Sequence, residues 1–473
     1  MMCEISWHSD LEDFATNGPR DRCSSCYKPA TAMLAEAQLH QIGLSSQLST
    51  SDRNRARELA RSIALDKIPT YLIDGVPVGE HAMAGTLRFF ARGDLRGEPY
   101  AELITRRYFE ASLLTYYACR HLFGGDKFDV VVLNHGIYVP QGLIAETARR
   151  QGVRVVTWHP AYRRGCFIFN HDETYHQGLL NEPIEHWVNM KWRAEHRTQI
   201  EDYLQSRWIG KNDWVTFHRD PEFDIDAISR EIGVDFSRPV VGLLTNVVWD
   251  AQLHYRANAF PGMLDWLLKT IAYFAARPEL QLLIRIHPAE MTGTVPSRQL
   301  AIDEIGRTFQ SLPGNIFIIP PNSRVSTYVA MTKCNAVLIY GTKTGVELTS
   351  SGIPVIVAGE AWIRGKGLTL DARSQEEYLR LLDTLPLAGK LDANTRDRAL
   401  KYAYHFFFRR MIPIDAIVQA NGWPPFAVDI EGLSDLEPGK SSGLDVICEG
   451  ILFNKPFVYH AEDGVPTSAP SSI

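Results

Sequence analysis

Residues 336–357 combine a buried strand, a turn of small residues and a short helix, and this run constrains the fold more than any other part of the chain. The apolar residues Ala336 to Ile339 predict a strand, and the turn that follows opens a helix. Gly352 ends that helix, and Pro354 leads into a second apolar strand. A strand, a helix and a strand in this order predict a parallel sheet in an α/β fold.

The same turn predicts an anion site. Small residues allow backbone N–H groups and a helix N-terminus to approach an anion closely, and Lys343 adds positive charge. Glu347, one helical turn later, is suited to accept hydrogen bonds from sugar hydroxyls. A negatively charged, hydroxyl-rich ligand is predicted, and a nucleotide sugar fits best. The alternative is an ordinary turn with a surface lysine, since short Gly/Thr turns are common. The residues predicted to bind are Tyr340, Thr342, Lys343, Thr344, Gly345 and Glu347.

Two other predicted strands end in polar residues. Leu282 to Ile284 runs into Arg285 and His287, and Val240 to Leu244 leads to Asn246. Ligands of open α/β sheets bind at the carboxyl ends of the strands near a topological switch point, so these three side chains are predicted to face the ligand. Arg285 would neutralise a phosphate or carboxylate, and His287 would donate to a phosphate oxygen. A packed histidine and a helix-capping asparagine are the alternatives.

The N-terminal half shows the same rhythm, with strands predicted at 128–133 and 153–158 and a helix at 140–151. We therefore predict two Rossmann-like, doubly wound lobes that face each other across a cleft. Upstream, residues 48–54 are predicted as a loop and 68–73 as a short strand. The predicted domains are an acceptor-side lobe with a helical N-terminal extension at 1–235, a nucleotide-sugar-binding lobe at 236–430 and a C-terminal extension at 431–473.

Polar residues at strand ends of the N-terminal lobe are candidates for an acceptor site. A group that deprotonates a sugar hydroxyl must be His, Asp or Glu within hydrogen-bond reach. His135 follows the strand at 128–133, and Asp172 lies in a polar loop. We predict these two as catalytic bases; the alternative is that they are ordinary loop residues.

Charge and cysteine content restrict the classes of protein. With 49 basic and 55 acidic residues the net charge is −6, which argues against a broad nucleic-acid surface. No signal peptide is recognised at residues 1–10, and no apolar run is long enough to span a membrane, so a cytoplasmic protein is expected. The odd number of cysteines, seven, argues against a disulfide framework. A zinc site is the weaker alternative to a reduced cysteine pair, and its ligands would be Cys3, His8, Cys23 and Cys26.

The motifs together resemble a family. The stretch from Arg285-Ile-His-Pro288 through Gly345-Val-Glu-Leu-Thr-Ser-Ser-Gly-Ile-Pro354 to Arg364-Gly-Lys-Gly-Leu-Thr369 is similar to bacterial capsule and surface polysaccharide biosynthesis proteins. These are glycosyltransferases with two Rossmann lobes (the GT-B type), among them Kdo transferases of capsule export. Asn134-His-Gly-Ile-Tyr-Val-Pro-Gln-Gly142 and the Tyr- and Phe-rich residues 398–411 resemble the same group. The resemblance covers roughly residues 128–415.

The resemblance implies a glycosyltransferase that needs no bound metal and no cofactor, and that moves a sugar from a nucleotide donor to a surface-glycan precursor. It implies that Arg285, His287, Lys343, Thr344 and Glu347 surround the donor, and that Arg364 and Lys366 reach its charged portion. GT-B lobes normally open with a strand and a glycine-rich acceptor loop. Nothing before residue 68 has this pattern, which leaves the acceptor residues open.

Two alternatives share this pattern. Gly-x-Glu followed by Gly-x-Pro also occurs in nucleotide-sugar 2-epimerases of similar fold, and a non-catalytic glycan-assembly protein could keep the fold. The residues Phe406-Phe-Phe-Arg-Arg410 could contact the inner membrane surface, but a helix packed inside a lobe is the favoured interpretation. The expected partners are a nucleotide-sugar donor and a glycan or glycolipid acceptor.

Overall fold

The computed structural model describes residues 22–125, 127–208, 213–214, 221–250, 256–293, 295–421 and 426–464. The chain forms two compact units. The first contains the chain up to Thr157, together with residues 171–174 and a short piece that includes Trp249 and Asp250. The second contains 158–170, 175–248 and the chain from 255 onward.

The first unit is mainly helical. Its elements are α1 (Arg22–Glu36), α2 (Thr50–Ser62), α3 (Val78–Phe90), α4 (Ala101–Gly125), β1 (Val130–Asn134), α5 (Gln141–Arg150) and β2 (Arg154–Pro160), whose last three residues belong to the second unit, with 3₁₀ turns at Leu44–Gln47 and Leu65–Thr70. The long helix α4 supplies Ile104, Phe109 and Leu113 to a core that also contains Phe90 of α3. β1 lies beside β2, so the strand–helix–strand unit predicted at 128–158 is present.

Two local predictions in this unit are wrong. In the predicted strand at 68–73, residues 68–70 belong to the 3₁₀ turn Leu65–Thr70 and Ile73 forms only an isolated bridge with Val76. The predicted loop at 48–54 contains the start of α2. Ser49 caps α2 by accepting a hydrogen bond from the Asp52 backbone, while the Asp52 carboxylate accepts one from the Ser49 backbone. This reciprocal capping box satisfies N–H groups that the first helical turn leaves without partners, and it was readable from the sequence.

The second unit contains the remaining elements, apart from His171, which belongs to the first unit. They are β3 (Cys166–His171), α6 (Tyr175–Leu180), α7 (Glu185–Val188), α8 (Ala194–Trp208), α9 (Ile225–Ile232), β4 (Val240–Leu244), α10 (Met263–Ala275), β5 (Gln281–Arg285), α11 (Ala289–Thr292), α12 (Ala301–Thr308), β6 (Ile316–Ile319), α13 (Thr327–Thr332), β7 (Ala336–Ile339), α14 (Thr344–Ser350), β8 (Val355–Val357), β9 (Leu370–Asp371), α15 (Gln375–Asp383), α16 (Ala393–Tyr404) with a π-helical end at His405–Arg409, β10 (Ile412–Pro413), β11 (Ile417–Gln419), β12 (Phe426–Val428), α17 (Ser442–Phe453) and 3₁₀ turns at Leu433–Leu436 and Ala461–Asp463.

A six-stranded parallel sheet organises the second unit. The strand order is β6-β5-β4-β7-β8-β9. Numbered along the chain from β4, this is 3-2-1-4-5-6, the order of dinucleotide-binding Rossmann sheets. The order reverses between β4 and β7, so the topological switch point lies there. The predicted α/β, Rossmann-like fold class is confirmed.

Burial on both faces explains why the central strands are apolar throughout. Every residue of β4, β5, β7 and β8 is buried. Gly242 in β4 permits close packing, because a Cβ atom there would lie 2.5 Å from the sulfur of Met331. The sheet shares one core with residues 161–204, which include Trp187 and Ile200. The second unit therefore includes residues 158–170 as well as the sheet, and the predicted domains at 1–235, 236–430 and 431–473 stay predictions.

The aromatic run at the end of α16 is part of this core. Phe406, Phe407 and Phe408 are buried, as are Arg409 and Arg410. This placement agrees with the favoured interpretation of a helix packed inside a lobe. Among the helices in the described part of the chain, none combines the length and the apolar character that crossing a bilayer requires.

Candidate functional site

The loops after β4 and β7 meet at the switch point. The amide oxygen of Asn246 accepts a hydrogen bond from the Gly341 N–H at 3.1 Å. Thr342 then closes the turn, because its hydroxyl oxygen accepts from the Thr344 N–H at 3.3 Å. A Cβ atom at Gly345 would lie 2.6 Å from the Cδ1 atom of Ile339, so the turn needs glycine where helix and strand pack. Asn246, Thr342, Thr344 and Gly345, all predicted from the sequence, therefore come together here.

Lys343 and Glu347 form an ion pair beside this turn. The Lys343 ammonium donates to the Glu347 carboxylate at 2.8 Å and lies 4.6 Å from the centre of the Tyr162 ring. The Lys343 side chain is 15% exposed, whereas that of Glu347 is 3% exposed. Lys343 is thus the member of the pair that solvent reaches, and Glu347 is an interior group in this structure.

A second cation holds Glu347. The Arg207 guanidinium, at the end of α8, lies 3.3 Å from the same carboxylate oxygen that Lys343 contacts. Arg207 also bonds to Asp213, which accepts a hydrogen bond from the Tyr203 hydroxyl at 2.8 Å. Arg207, Asp213 and Glu347 are thereby buried together beside the partly exposed Lys343, and each carboxylate has a cationic partner. Such mutual pairing is what makes buried charge tolerable.

The pKa values of Glu347, Lys343 and Asp213 reflect both their burial and the charges of their neighbours. Burial alone would raise the pKa of Glu347, but the charges of Arg207 and Lys343, with a hydrogen bond from Tyr328, outweigh burial and lower the pKa to about 2. Burial and the nearby Arg207 charge lower the pKa of Lys343. Burial raises the pKa of Asp213 despite its contact with Arg207. Glu347 is therefore an anion at neutral pH, and it can accept hydrogen bonds but cannot donate them.

His287 lies at the end of β5 with a defined ring orientation. Its Nδ1 accepts a hydrogen bond from the Ala289 N–H at 3.1 Å, and its own backbone N–H donates to the Thr245 hydroxyl at 2.9 Å. When Nδ1 is an acceptor, the neutral ring carries its proton on Nε2. This tautomer suits the predicted role of His287 as a donor to a phosphate oxygen.

Three predicted basic residues and one tyrosine have interior partners. Arg285 donates to the Pro320 carbonyl and to the Thr327 hydroxyl, and burial lowers its pKa to about 10. Arg364 donates to the backbone carbonyls of Gly359 and Ala372. Lys366 donates to the backbone carbonyls of Leu180 and Glu182. The Tyr340 hydroxyl donates to the backbone carbonyl of Phe260. To contact a ligand, these four side chains would have to release the carbonyl groups that they bind in this structure. Their predicted ligand contacts therefore stay predictions.

The two predicted bases lie in the first unit. His135 has a positive φ of 36°, and its Nδ1 accepts from the Ile137 N–H at 3.1 Å, so the neutral ring carries its proton on Nε2. Asp172 is exposed, and its carboxylate accepts from the Val155 N–H at 3.1 Å. The Asp172 carboxylate thereby ties a loop to β2. Their catalytic roles stay predictions.

The weaker alternative of a zinc site falls outside the described residues. Cys3 and His8 precede residue 22, and the side chains of Cys23 and Cys26 are not described.

Sequence reasoning missed the partners of Glu347 and a buried acid beside His287. Arg207 and Asp213 carried no signal, because a single charged residue near the end of a helix usually faces solvent. Glu290, on α11 three residues after His287, was readable as part of the strand-end motif. Its side chain is fully buried, and its carboxylate accepts from the Ala301 N–H at 3.2 Å.

Glu290 should give the protein a distinctive pH dependence. Burial raises its pKa from 4.5 to about 7, so the folded state prefers the protonated acid. The contribution of Glu290 to the free energy of unfolding is complete when the pH is below the pKa that this residue has in the unfolded chain. It is lost as the pH rises through 7, and the total loss is about 3 kcal/mol. Urea unfolding near pH 5 and pH 8 should show Glu290→Gln gaining stability relative to the parent at the higher pH. If the stability of the variant and of the parent depends on pH in the same way, the raised pKa of Glu290 is contradicted.

The sheet order and the switch-point loops define the class: an α/β protein whose second unit is a Rossmann-type sheet with polar loops at the usual ligand position. No protein-family model and no curated protein matches the sequence. Among solved structures, the chain is similar to the β-Kdo 2,4-transferase KpsC of Thermosulfurimonas dismutans, at 13% identity and a TM-score of 0.37, over 57% of this chain and 78% of that one.

Two further structures show a similar likeness. The S. aureus MnaA–UDP structure is 12% identical with a TM-score of 0.29, over 61% of this chain and 72% of that chain. A UDP-N-acetylglucosamine 2-epimerase described as putative, from Listeria monocytogenes, is 14% identical with a TM-score of 0.26, over 74% and 91%. With TM-scores below 0.5, these likenesses assign neither a family nor an activity to the chain.

Proposed function

We propose that this protein is a glycosyltransferase of the GT-B kind, which transfers a sugar from a nucleotide-sugar donor to the precursor of a surface polysaccharide. One observation carries the proposal: at the switch point of a Rossmann sheet Asn246 bonds to Gly341, and Lys343 follows in the same turn. Ligands of such sheets bind at this position. Lys343 is the cation beside the turn that solvent reaches.

The donor site would use charge that is already fixed in place. Lys343 would attract the phosphate or diphosphate of the donor, and His287 would donate from Nε2 to a phosphate oxygen. Pre-positioned donors of this kind stabilise the negative charge that develops on a departing phosphate, which is the role a metal ion has in other transferases. We therefore expect transfer without a bound metal.

Glu347 would bind hydroxyls only after its present contacts change. Its carboxylate is held by Lys343 and Arg207. A diphosphate that attracts the Lys343 ammonium would leave part of the carboxylate to accept from ribose or sugar hydroxyls. The ion pair is therefore the group that couples binding of phosphate to binding of sugar in the proposed site.

Nucleotide binding tests the proposal most directly. We expect UDP-, CMP- or GDP-linked sugars at millimolar concentration to raise the midpoint of thermal unfolding, because a ligand that binds only the folded state stabilises it by mass action. The shift should persist in EDTA, and one nucleotide base should exceed the other two. The control is free ribose 5-phosphate, which carries phosphate without a base.

The results of these binding measurements distinguish a transferase from an epimerase and test whether binding needs a metal. Absence of any nucleotide effect would contradict the proposal. A binding nucleotide sugar that is converted to its epimer without an acceptor would identify an epimerase. Loss of binding in EDTA, restored by magnesium, would contradict metal independence, provided that circular dichroism shows the chelated protein still folded.

A further inference from the structure

Two adjoining cavities in the second unit are lined by residues outside the switch-point loops. Their volumes are about 360 and 470 Å³, both are open to solvent, and they share the lining residues Arg163, Gln199 and Phe408. Arg163 precedes β3, Gln199 lies on α8, and Phe408 lies in the π-helical end of α16. Sites that bind small molecules have volumes of about 300–1,000 Å³, so each cavity is large enough for one.

The walls of the cavities are rich in rings. The Phe408 ring is buried, and its centre lies 5.3 Å from that of the Tyr203 ring. The Tyr203 hydroxyl donates to Asp213, so this residue offers the smaller cavity its ring rather than its hydroxyl. The wall of the larger cavity also contains Pro413, Tyr459 and Ala461. Flat apolar walls favour a ligand that itself has a flat ring.

Arg163 brings a positive charge to both cavities. Its guanidinium carbon lies 4.4 Å from the centre of the Phe408 ring, and its Nη1 donates to the Phe407 carbonyl at 2.8 Å. Within the ranges that the structure describes, Arg163 pairs with no carboxylate, and its Nε and Nη2 have no hydrogen-bond acceptor. The ring and the carbonyl restrict the rotamers of Arg163, so a ligand that binds it loses little entropy by ordering it.

Two further charges border the smaller cavity. Arg164 is exposed, and it donates to the Asp213 carbonyl at 3.0 Å and to the Gln419 amide oxygen at 2.9 Å, which are both neutral acceptors. Asp202 is exposed and forms no ion pair with any residue that the structure describes. Two cations and one carboxylate therefore leave one net positive charge at this cavity, which favours a ligand with a single negative charge.

The Gln199 amide shows where the ligand needs a hydrogen-bonding group. Its Oε1 is buried and has no hydrogen-bond partner among the described residues, and the side chain lines both cavities. A buried amide oxygen without a partner destabilises the protein, and a ligand that donates to this oxygen removes that penalty. A hydroxyl suits the position because it both donates and accepts, so it matches either orientation of the amide.

Charge, walls and amide together specify one kind of ligand. We propose that Arg163 and Gln199 form a binding site for an aromatic hydroxycarboxylate, a flat ring that carries one carboxylate and one hydroxyl. The carboxylate binds Nε and Nη2 of Arg163, the hydroxyl donates to Gln199, and the ring packs against Phe408 and Tyr203. This site goes beyond the proposed transferase and does not depend on it.

Probes that each lack one of these groups test the site on the full-length protein. The three isomers of hydroxybenzoate differ in the distance between carboxylate and hydroxyl. Benzoate lacks the hydroxyl, hydroxybenzamide lacks the charge, and glucuronate lacks the flat ring. In titrations followed by calorimetry, one hydroxybenzoate should bind about ten-fold or more tightly than hydroxybenzamide, the effect of a charge-assisted hydrogen bond, and also more tightly than benzoate and glucuronate.

Two substitutions assign the contacts. Gln199→Met should abolish the advantage of hydroxybenzoate over benzoate and leave the binding of benzoate unchanged. Arg163→Met should weaken the binding of every carboxylate about ten-fold or more and leave that of hydroxybenzamide unchanged. The matched controls are Gln205→Met on the same helix and Arg230→Met on α9, which change exposed residues outside the cavities and should bind like the parent.

Arg163→Met also removes the bond to the Phe407 carbonyl, so circular dichroism must show that the variant is folded. If it is not, Arg163→Lys replaces it. Lysine keeps the charge but lacks the planar fork, and this variant should bind hydroxybenzoate more weakly than the parent. The site is overturned if no hydroxybenzoate binds the parent at millimolar concentration, if glucuronate binds as tightly as the best hydroxybenzoate, or if Gln199→Met keeps the preference of the parent for hydroxybenzoate over benzoate.

Discussion

Replacing Arg207 by methionine is expected to destabilise the protein by about 3–5 kcal/mol, because the change leaves the buried carboxylate of Asp213 without its cation and removes one of the two cations that hold Glu347. Arg207 is buried between Asp213 and Glu347 and lies 3.3 Å from the latter. Methionine keeps most of the side-chain volume, so the expected loss comes from charge and hydrogen bonds rather than from a cavity. The measurement is urea unfolding of the purified variant beside the parent.

Two variants make this result interpretable. Arg197 pairs with Asp397 at 2.8 Å with both side chains partly exposed, so Arg197→Met should cost about 1 kcal/mol or less. In the double variant Arg207→Met/Asp213→Asn, the carboxylate that Arg207→Met leaves unpaired is gone, and the total loss should be smaller than the sum of the single losses. Additive losses, or equal losses for Arg207 and Arg197, would show that the buried cluster is not coupled as described.

Replacing Lys343 by alanine is expected to weaken binding of the nucleotide sugar about ten- to hundred-fold, since a charge-assisted hydrogen bond contributes about 1.5–3 kcal/mol. Lys343 is the solvent-reached cation beside the switch-point turn, and its role is part of the proposed function. Added salt should narrow the difference from the parent, because ions screen the attraction between the ammonium and the phosphates. Titration calorimetry at low and moderate salt measures both effects.

Lys333 supplies the control for charge. It is exposed at the end of α13 in the same unit, so Lys333→Ala removes an equal charge away from the turn. Binding should then change less than two-fold, as expected for a distant surface charge. If both alanine variants bind like the parent while remaining folded, the turn at 340–349 is a structural element only, and the nucleotide-sugar proposal loses its main support.

The predicted switch-point turn illustrates what local pattern can establish. Apolar runs bounded by Gly and Pro located β4, β5, β7 and β8, and Gly352 ends α14 with a φ of 81°, as its position predicted. The strand 68–73 failed for a local reason as well. Pro69 lacks the backbone N–H that a strand ladder needs, and residues 68–70 belong to the 3₁₀ turn Leu65–Thr70, which buries Ile68.

Arg285 and Glu347 illustrate what the pattern left open. The sequence placed both beside the sheet edge where ligands bind, but it did not say which atoms they would contact. In the structure Arg285 bonds to carbonyls of the loop after β6, and Glu347 pairs with Arg207 of a distant helix. A long charged side chain can reach many partners, and the closest partner depends on how helices pack against the sheet.

The sequence alone determined the α/β class, the strand ends that meet at the switch point and the glycines that the turn requires. Each of these follows from backbone conformation and apolar periodicity, which act between neighbouring residues. Tertiary structure alone decided that Glu347 is an interior anion, that Glu290 is a buried acid with a raised pKa and that Arg163 and Gln199 line one cavity. Burial and charge pairing depend on residues far apart in the chain, so only the folded protein sets them.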